Sequence, residues 1–208
     1  MLPIIVLAGG FGTRLRSVVR DVPKILAPVL GKPFLFWLLN NLERQGFQKV
    51  LLSLHYQADL VKQELEIMKL KMEVKTLEEP KPLGTGGAIA FAVSEMNLKQ
   101  DFLVMNGDTW LGESITKLNK VSSPALGLIN VTDSSRYGKV EWEKKTVIQF
   151  REKGFNSGPG WINAGIYRLN ASVFKNWGGQ AFSLEHEILP MWTAHRYLNA
   201  CPLETDFF

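Results

Sequence analysis

Along the first 110 residues, strand-like runs of apolar positions alternate with stretches in which apolar positions recur at helical spacing. Short apolar or alternating runs predict strands, and they cover residues 4–8, 49–54, 72–79 and 101–106. Apolar positions at helical spacing predict helices, and they cover residues 33–44, 59–68 and 87–96. Strands that alternate with helices in this way build βαβ units. The first half is therefore predicted to be a Rossmann-like, doubly wound α/β layer around a mostly parallel sheet.

The pattern changes after residue 120, where predicted strands follow one another without long helices between them. These strands cover residues 125–131, 139–143, 147–153 and 161–169. Ser183 is a suitable N-cap for one further helix over residues 183–194. This half is predicted to extend the same sheet in a mixed or antiparallel manner. Residues 1–208 are thus expected to form a single domain with two halves, 1–120 and 121–208.

Composition narrows the class of protein. The chain has 208 residues, of which 46% are hydrophobic and 21% charged, as is typical of a folded globular domain. Its net charge of +4 is scattered, so no nucleic-acid partner is predicted. Cys201 is the only cysteine, which excludes an intrachain disulfide and a cysteine metal cluster and fits a reducing, cytoplasmic location. The N-terminal apolar run lacks a basic leader, and no run of 18 apolar residues predicts a membrane span.

A glycine-rich loop follows the first predicted strand. Backbone N–H groups beside glycines can approach a phosphate closely, and a guanidinium adds donors suited to phosphate oxygens. A tight turn without a ligand is the alternative. A Walker loop would end in Gly-Lys-Ser/Thr, which is missing, and Leu15 stands where a dinucleotide fingerprint needs its third glycine. The candidate nucleotide-binding residues of this segment are Leu7, Ala8, Gly9, Gly10, Gly12, Thr13 and Arg14.

The residues after this loop complete a longer motif. Pro23 stiffens the chain before Lys24, which is either a phosphate ligand or a solvated surface lysine, and Pro-Val and Lys-Pro pairs follow. Residues 7–34 together resemble the N-terminal motif of the sugar-phosphate nucleotidyltransferase family. The resemblance extends over nearly all of residues 3–208. It implies an enzyme that joins a nucleoside triphosphate to a sugar 1-phosphate and releases pyrophosphate.

The resemblance also assigns the nucleotide side, residues 1–120. Arg14 would bind the leaving pyrophosphate, and Lys24 the region of the α-phosphate. The loop with Gly84 and Thr85 would hold the base. The Glu79 carboxylate would accept hydrogen bonds from guanine N1–H and the exocyclic amine, whereas uracil and thymine offer one such donor. GTP is therefore the favoured nucleotide, and an exposed loop carboxylate is the alternative for Glu79.

Asp108 ends a buried strand in Asn106-Gly107-Asp108-Thr109. By resemblance it is a Mg²⁺ ligand, in keeping with a metal held by few carboxylates together with phosphates. An N-capping aspartate is the alternative. Family members carry a second metal-binding aspartate in an Asp-x-Gly-like motif near the end of the core, and the chain ends at Phe208 without it. We expect that the sequence is truncated at its C-terminus or that its metal site is incomplete.

The second half, residues 121–208, would bind the sugar 1-phosphate. Lys153 would bind its phosphate, as the fourth catalytic residue beside Arg14, Lys24 and Asp108. Glu185 either contacts the sugar or serves the start of the last predicted helix. The candidate sugar-phosphate-binding residues are Gly138, Glu152, Lys153, Asn163, Gly165 and Glu185.

The same resemblance narrows the choice of sugar substrate. Glu79 and residues 83–88 most resemble those of the D-glycero-D-manno-heptose 1-phosphate guanylyltransferases, which implies a GDP-heptose product. Alternatives are a mannose or glucose 1-phosphate nucleotidyltransferase and, because the second aspartate is missing, a catalytically weak regulatory module. A nucleotide-dependent dehydrogenase is disfavoured by the spacing of the glycine loop. The oligomeric state, including a homo-oligomer, stays open.

Overall fold

The computed structural model describes residues 1–10, 22–151 and 158–207. Within these residues, nine strands form one sheet in the order β5-β4-β1-β6-β10-β7-β11-β9-β8, and β2 and β3 form a separate hairpin. The strands are β1 Ile4–Leu7, β2 Pro28–Val29, β3 Lys32–Pro33, β4 Lys49–Leu54, β5 Glu73–Glu78, β6 Asp101–Asn106, β7 Ala125–Val131, β8 Lys139–Glu143, β9 Thr146–Arg151, β10 Gly160–Asn170 and β11 Asn199–Pro202. The α-helices are α1 Phe34–Arg44, α2 Ala58–Ile67, α3 Gly84–Glu95 and α4 Leu189–Ala194.

The first half is the predicted parallel layer. β1 pairs in parallel with β4 and β6, and β4 pairs in parallel with β5. Two predicted strands, Lys49–Leu54 and Asp101–Asn106, have the predicted bounds. α3 begins at Gly84, three residues before the predicted start, because the Phe182 carbonyl accepts hydrogen bonds from Gly86 N and Gly87 N. That contact comes from the far end of the chain, so the local pattern could not reveal it.

The second half is the predicted mixed extension. β10 lies between β6 and β7 and is antiparallel to both. β11 pairs in parallel with β7 and in antiparallel fashion with β9. The sequence did not predict β11, because it has four residues and ends in Pro202. The predicted last helix begins as a π-helical turn over Leu184–Ile188 before α4, with Ser183 as its N-cap as predicted.

Helices cover both faces of the sheet, as a doubly wound fold requires. Ile4 and Val6 of β1 are buried on one face, where α1 contributes an apolar stripe. Ile5, the residue between them, is buried on the opposite face beneath α3 and α4. Each such side chain contributes about 1.5–3 kcal/mol by leaving water. Among the described residues, no helix is long and apolar enough to cross a membrane.

A network of polar side chains fastens the amino end of β6 to β10. The Asp101 carboxylate accepts hydrogen bonds from Arg168 Nε at 2.8 Å, Asn170 Nδ2 at 2.6 Å and Ser123 Oγ at 3.0 Å. Burial alone would raise the pKa of Asp101, but the hydrogen bonds from Asn170, Arg168 and Ser123 outweigh it and hold the pKa below its usual value of 3.8. This network lies at the opposite end of β6 from Asp108.

Candidate active site

The carboxyl ends of β1 and β6 meet at one edge of the sheet. Gly107 N donates to the Leu7 carbonyl at 2.8 Å. A Cβ at Gly107 would lie 2.7 Å from that carbonyl oxygen, so only glycine permits this approach. The contact holds the end of β1, Leu7 and Ala8, against the residue that precedes Asp108. Parallel α/β sheets bind their ligands at this edge.

Lys24 and Asp108 form an ion pair at this edge. Lys24 opens a 3₁₀ turn, Lys24–Leu26, whose next two residues are buried and anchor it. The two charged side chains remain 38% and 43% exposed. A pair this accessible contributes little to stability and opens readily. The two groups can therefore separate, so that the ammonium group can bind an anion and the carboxylate can bind a cation.

Glu79 lies beside the glycine loop and is buried, with 7% of its surface exposed. It is not an exposed loop carboxylate, which was the alternative from sequence. Its Oε1 accepts from Ser53 Oγ at 3.0 Å, and its Oε2 accepts from Leu83 N at 3.3 Å. A Cβ on Gly9 would lie 3.0 Å from Glu79 Oε1. Burial raises the pKa of the Glu79 carboxyl, and the hydrogen bonds from Ser53 and Leu83 offset part of that effect.

The Gly84–Gly87 segment is docked against the segment before Ser183. Gly84 has a positive φ of 70°, and a Cβ there would lie 2.6 Å from the Phe182 carbonyl oxygen. A Cβ on Gly86 would overlap the Phe182 ring at 2.2 Å. The Thr85 hydroxyl donates to Glu185 Oε2 at 2.5 Å and accepts from Leu184 N at 2.9 Å. The hydroxyl of Thr85 thus faces the second half of the chain.

Three of the predicted sugar-phosphate residues lie together on and beside β10. Asn163 N donates to the Gly138 carbonyl at 2.9 Å, and Asn163 Oδ1 accepts from Gly165 N at 2.8 Å. The register of β10 against β7 shifts between Asn163 and Tyr167, a bulge of the kind that often redirects side chains near active sites. Gly165 has a positive φ of 67°, and a Cβ there would lie 2.8 Å from Asn106 Nδ2. Gly165 therefore connects this cluster to the end of β6.

Glu185 joins the same cluster. Its Oε1 accepts from the Tyr167 hydroxyl at 3.1 Å, and its Oε2 accepts from Ser183 Oγ at 3.1 Å as well as from Thr85. The start of the helical segment is instead held by Ser183, which accepts from His186 N, and by Glu187, which accepts from Ser183 N. The carboxylate of Glu185 is thus directed toward the site.

Tyr167 was missed by the sequence reasoning. It is fully buried on β10, and its hydroxyl accepts from Asn163 Nδ2 at 2.8 Å while donating to Glu185. A buried tyrosine hydroxyl requires a polar partner. A tyrosine in a predicted buried strand therefore indicates a polar partner nearby, but the sequence pattern does not indicate which polar residues surround Tyr167.

Five of the predicted site residues lie outside the described residues, so the structure does not place them. They are Gly12, Thr13, Arg14, Glu152 and Lys153. Among the others, Lys24 pairs with Asp108, Glu79 packs against Gly9, Thr85 bonds to Glu185, and Gly138 and Gly165 bond to Asn163.

Asp108 fits a metal that is held mainly by its substrate. No group of three or more His, Cys, Asp or Glu side chains is arranged to hold a metal within residues 1–10, 22–151 and 158–207. A dedicated protein cage is therefore absent from that part of the chain. Mg²⁺ usually takes one or two carboxylates and completes its shell with water and phosphates. The accessible Asp108 carboxylate has the chemistry of one such ligand.

A doubly wound sheet whose carboxyl edge carries close-packed glycines, an ion pair and a cluster of polar side chains is the arrangement of a nucleotide-binding α/β protein. Residues 3–197 match the nucleotidyl transferase family. The chain belongs to this family, and the resemblance noted from the motifs is confirmed. The family generally uses a divalent metal.

Curated relatives share this assignment. The chain is 39% identical over 184 residues to a D-glycero-alpha-D-manno-heptose 1-phosphate guanylyltransferase of Campylobacter jejuni, covering 87% of this chain and 82% of the relative. It is 35% identical over 191 residues to the enzyme of the same name from Aneurinibacillus thermoaerophilus, covering 89% of this chain and 82% of the relative.

Solved structures agree in fold. HddC from Yersinia pseudotuberculosis superposes with a TM-score of 0.88 at 34% identity, covering 100% of this chain and 93% of that chain. HddC complexed with GMP-PN gives a TM-score of 0.87 at 33% identity over the same shares. The inositol-1-phosphate CTP transferase of T. maritima, at 21% identity and a TM-score of 0.81 over 100% of this chain and 88% of that chain, shares the fold. The predicted α/β class is confirmed.

Proposed function

We propose that this protein transfers a guanylyl group from GTP to D-glycero-α-D-manno-heptose 1-phosphate, producing GDP-heptose and pyrophosphate. The juxtaposition of Lys24 and Asp108 just beyond the carboxyl end of β6, where Gly107 packs against the end of β1, carries the proposal. The choice of base and sugar is supported by two relatives named heptose 1-phosphate guanylyltransferases, at 39% and 35% identity. It is also supported by the HddC complex with GMP-PN.

The reaction is an in-line displacement at the α-phosphorus of GTP. A phosphate oxygen of the sugar 1-phosphate forms the new bond, and the bond from the α-phosphorus to the bridging oxygen of pyrophosphate breaks. Both reactants are anions, so the protein must position them and neutralise their charge. Lys24 faces the α-phosphate in this scheme. By resemblance, Arg14 binds the leaving pyrophosphate and Lys153 the phosphate of the nucleophile.

Asp108 would hold the divalent metal, which we propose to be Mg²⁺. When bound, such an ion polarises phosphoryl oxygens and reduces the repulsion between the two substrates. Lys24 is the present partner of the Asp108 carboxylate. On this proposal the Lys24 ammonium moves from the carboxylate to a phosphate oxygen when the nucleotide binds.

The remaining candidates divide into base and sugar contacts. Glu79, Gly84 and Thr85 lie on the base side, where Glu79 has lone pairs left for guanine N–H donors. Gly138, Asn163, Gly165 and Glu185 lie on the sugar side, and we include Glu152 there by resemblance.

Pyrophosphate release tests the proposal. GTP, UTP, dTTP, CTP and ATP are each combined with heptose, mannose and glucose 1-phosphates in the presence of Mg²⁺. We expect GTP with the heptose 1-phosphate to give the highest kcat/KM. Faster turnover with UTP or dTTP would contradict the role of Glu79. Binding of GTP without turnover of any sugar phosphate would favour a regulatory module instead.

Mannose 1-phosphate is the second candidate sugar. The observation in its favour is a putative mannose-1-phosphate guanyltransferase of Sulfolobus acidocaldarius that is 33% identical over 195 residues. The match covers 91% of this chain and 54% of that relative. The same assay separates the two sugars.

A further inference from the structure

Glu185 is surrounded by hydroxyl groups from three different elements. Thr85 of α3 and Ser183 donate to its Oε2 at 2.5 and 3.1 Å, and Tyr167 of β10 donates to its Oε1 at 3.1 Å. Thr85 belongs to the segment assigned to the base, whereas Tyr167 lies on the strand that carries Asn163. The two oxygens of one carboxylate therefore face the two substrate sides.

The hydrogen bonds run in a defined direction. An ionised carboxylate can only accept, so it fixes the single hydrogen of the Tyr167 hydroxyl. The tyrosine oxygen is then left to accept, and Asn163 Nδ2 donates to it at 2.8 Å. The other end of the same amide, Oδ1, accepts from Gly165 N at 2.8 Å. Glu185 thus sets the orientation of the Asn163 amide through Tyr167.

Burial makes the loss of any one of these hydrogen bonds costly. Tyr167 and Leu184 are fully buried, so water does not replace a lost partner easily. Leu184 N also donates to the Thr85 hydroxyl at 2.9 Å, which fixes the hydroxyl hydrogen toward Glu185. Hydrogen bonds in such low-dielectric surroundings are strong and reinforce one another.

We propose that Glu185 and Tyr167 are positioning residues that couple the base-binding segment to the sugar pocket. Through Tyr167, Glu185 holds the Asn163 amide so that its second hydrogen points to a sugar hydroxyl. Through Thr85, it holds the first turn of α3. Neither residue needs to touch a substrate in this role. The inference rests on the proposed function, because Asn163 is useful only where a sugar phosphate binds.

The coupling predicts an effect across the site. Tyr167→Phe should raise the KM for the heptose 1-phosphate about tenfold, as expected for the loss of one hydrogen bond to a charged group, with a smaller change in kcat. Thr85→Val should raise the same KM by a similar factor, although Thr85 lies on the base side. Thr85→Ser, which keeps the hydroxyl, should have a KM for the sugar phosphate close to that of the wild type. The double variant should be no worse than the poorer single variant, because both break one chain.

Thr193→Val is the matched control. Thr193 is buried, and its hydroxyl donates to the Leu189 carbonyl at 2.8 Å outside this cluster. It should lower the melting temperature as the other variants do and leave the KM for the sugar phosphate unchanged.

The outcomes separate the two proposals. If the wild type turns over and Tyr167→Phe and Thr85→Val alter only the melting temperature, the coupling is wrong while the proposed function stands. Additive effects on KM in the double variant would also refute the coupling. Absence of wild-type turnover with GTP and any sugar 1-phosphate overturns both.

Discussion

The ammonium group of Lys24 contacts the carboxylate of Asp108, although 84 residues separate the two in the chain. The contact depends on Gly107, whose lack of a side chain lets the end of β6 approach the Leu7 carbonyl. The pair places a positive and a negative side chain, both accessible, at one point of the sheet edge. A phosphate and a divalent cation are the ligands that such a point can accept together.

Replacing Lys24 by methionine should lower kcat by about 100-fold, because a cation that neutralises the transferred phosphate is lost. Steady-state pyrophosphate release measures the effect. Lys75→Met is the control, since Lys75 lies on the edge strand β5 and pairs with Glu73. Equal activity of Lys24→Met and Lys75→Met would exclude a catalytic role for Lys24.

Asp108→Asn should raise the Mg²⁺ concentration needed for half-maximal activity by about tenfold or more, because a neutral amide is a weaker ligand for a hard cation. Titration of Mg²⁺ after treatment with EDTA gives this concentration for both proteins. An unchanged Mg²⁺ dependence would remove Asp108 from the metal site.

Glu79 should make stability depend on pH. Burial raises its pKa in the folded protein above the ordinary value of 4.5, so ionisation costs the folded state more than the unfolded chain. The cost is absent below pH 4.5 and develops as the pH rises through the folded-state pKa. Glu79→Gln lacks this titration.

The difference in melting temperature, Glu79→Gln minus wild type, should therefore become more positive between pH 4 and pH 7. The amide of glutamine will itself pair poorly with the Leu83 N–H, so the slope with pH rather than the sign at one pH is decisive. A difference that stays constant over this range would mean that Glu79 titrates normally.

Gly165→Ala should destabilise the fold by about 1–2 kcal/mol, because alanine disfavours the positive φ, and should also raise the KM for the sugar phosphate. The added methyl group would press on Asn106 Nδ2. Gly46→Ala is matched in backbone conformation, with a φ of 87° and only an ordinary contact to Met1. Urea denaturation should show a loss for both variants, and only Gly165→Ala should alter KM.

Asp101→Asn should lower the free energy of unfolding by about 2–3 kcal/mol at pH 7, because Arg168 loses its partly buried partner. The lowered pKa of Asp101 means that its contribution is present above pH 3.8 and is lost as the pH falls through the folded-state value. Urea denaturation at several pH values should show the two proteins converging in acid. A constant difference down to pH 3 would contradict this assignment.

Much of the fold followed from local pattern. Continuous apolar runs such as Lys49–Leu54 and Asp101–Asn106 are buried on both faces, so their signal is strong and their bounds were predicted correctly. β11 and the start of α3 were not predicted, because their stability comes from partners far away in sequence. Gly86 N and Gly87 N bond to Phe182, a residue that no local window contains.

The candidate site divides in the same way. The motifs that resemble those of the family were enough to select Lys24, Asp108 and Asn163, which the structure brings to one edge of the sheet. They gave no indication of Tyr167, because a tyrosine in a strand is usually a core residue. Its partners Asn163 and Glu185 become visible only when β10 and the turn after Ser183 are placed side by side.

The position of β10 restricts how this protein can be recombined with its relatives. β10 is the direct neighbour of both β6 and β7, yet it follows β7, β8 and β9 in the chain. A chimaera joined anywhere between residues 107 and 159 would place β10 of one parent against β6 of the other. The sequence pattern changes at residue 120, which makes this a natural point at which to join two parents. The β6–β10 contact in such a chimaera would nevertheless combine side chains of both parents in the centre of the sheet.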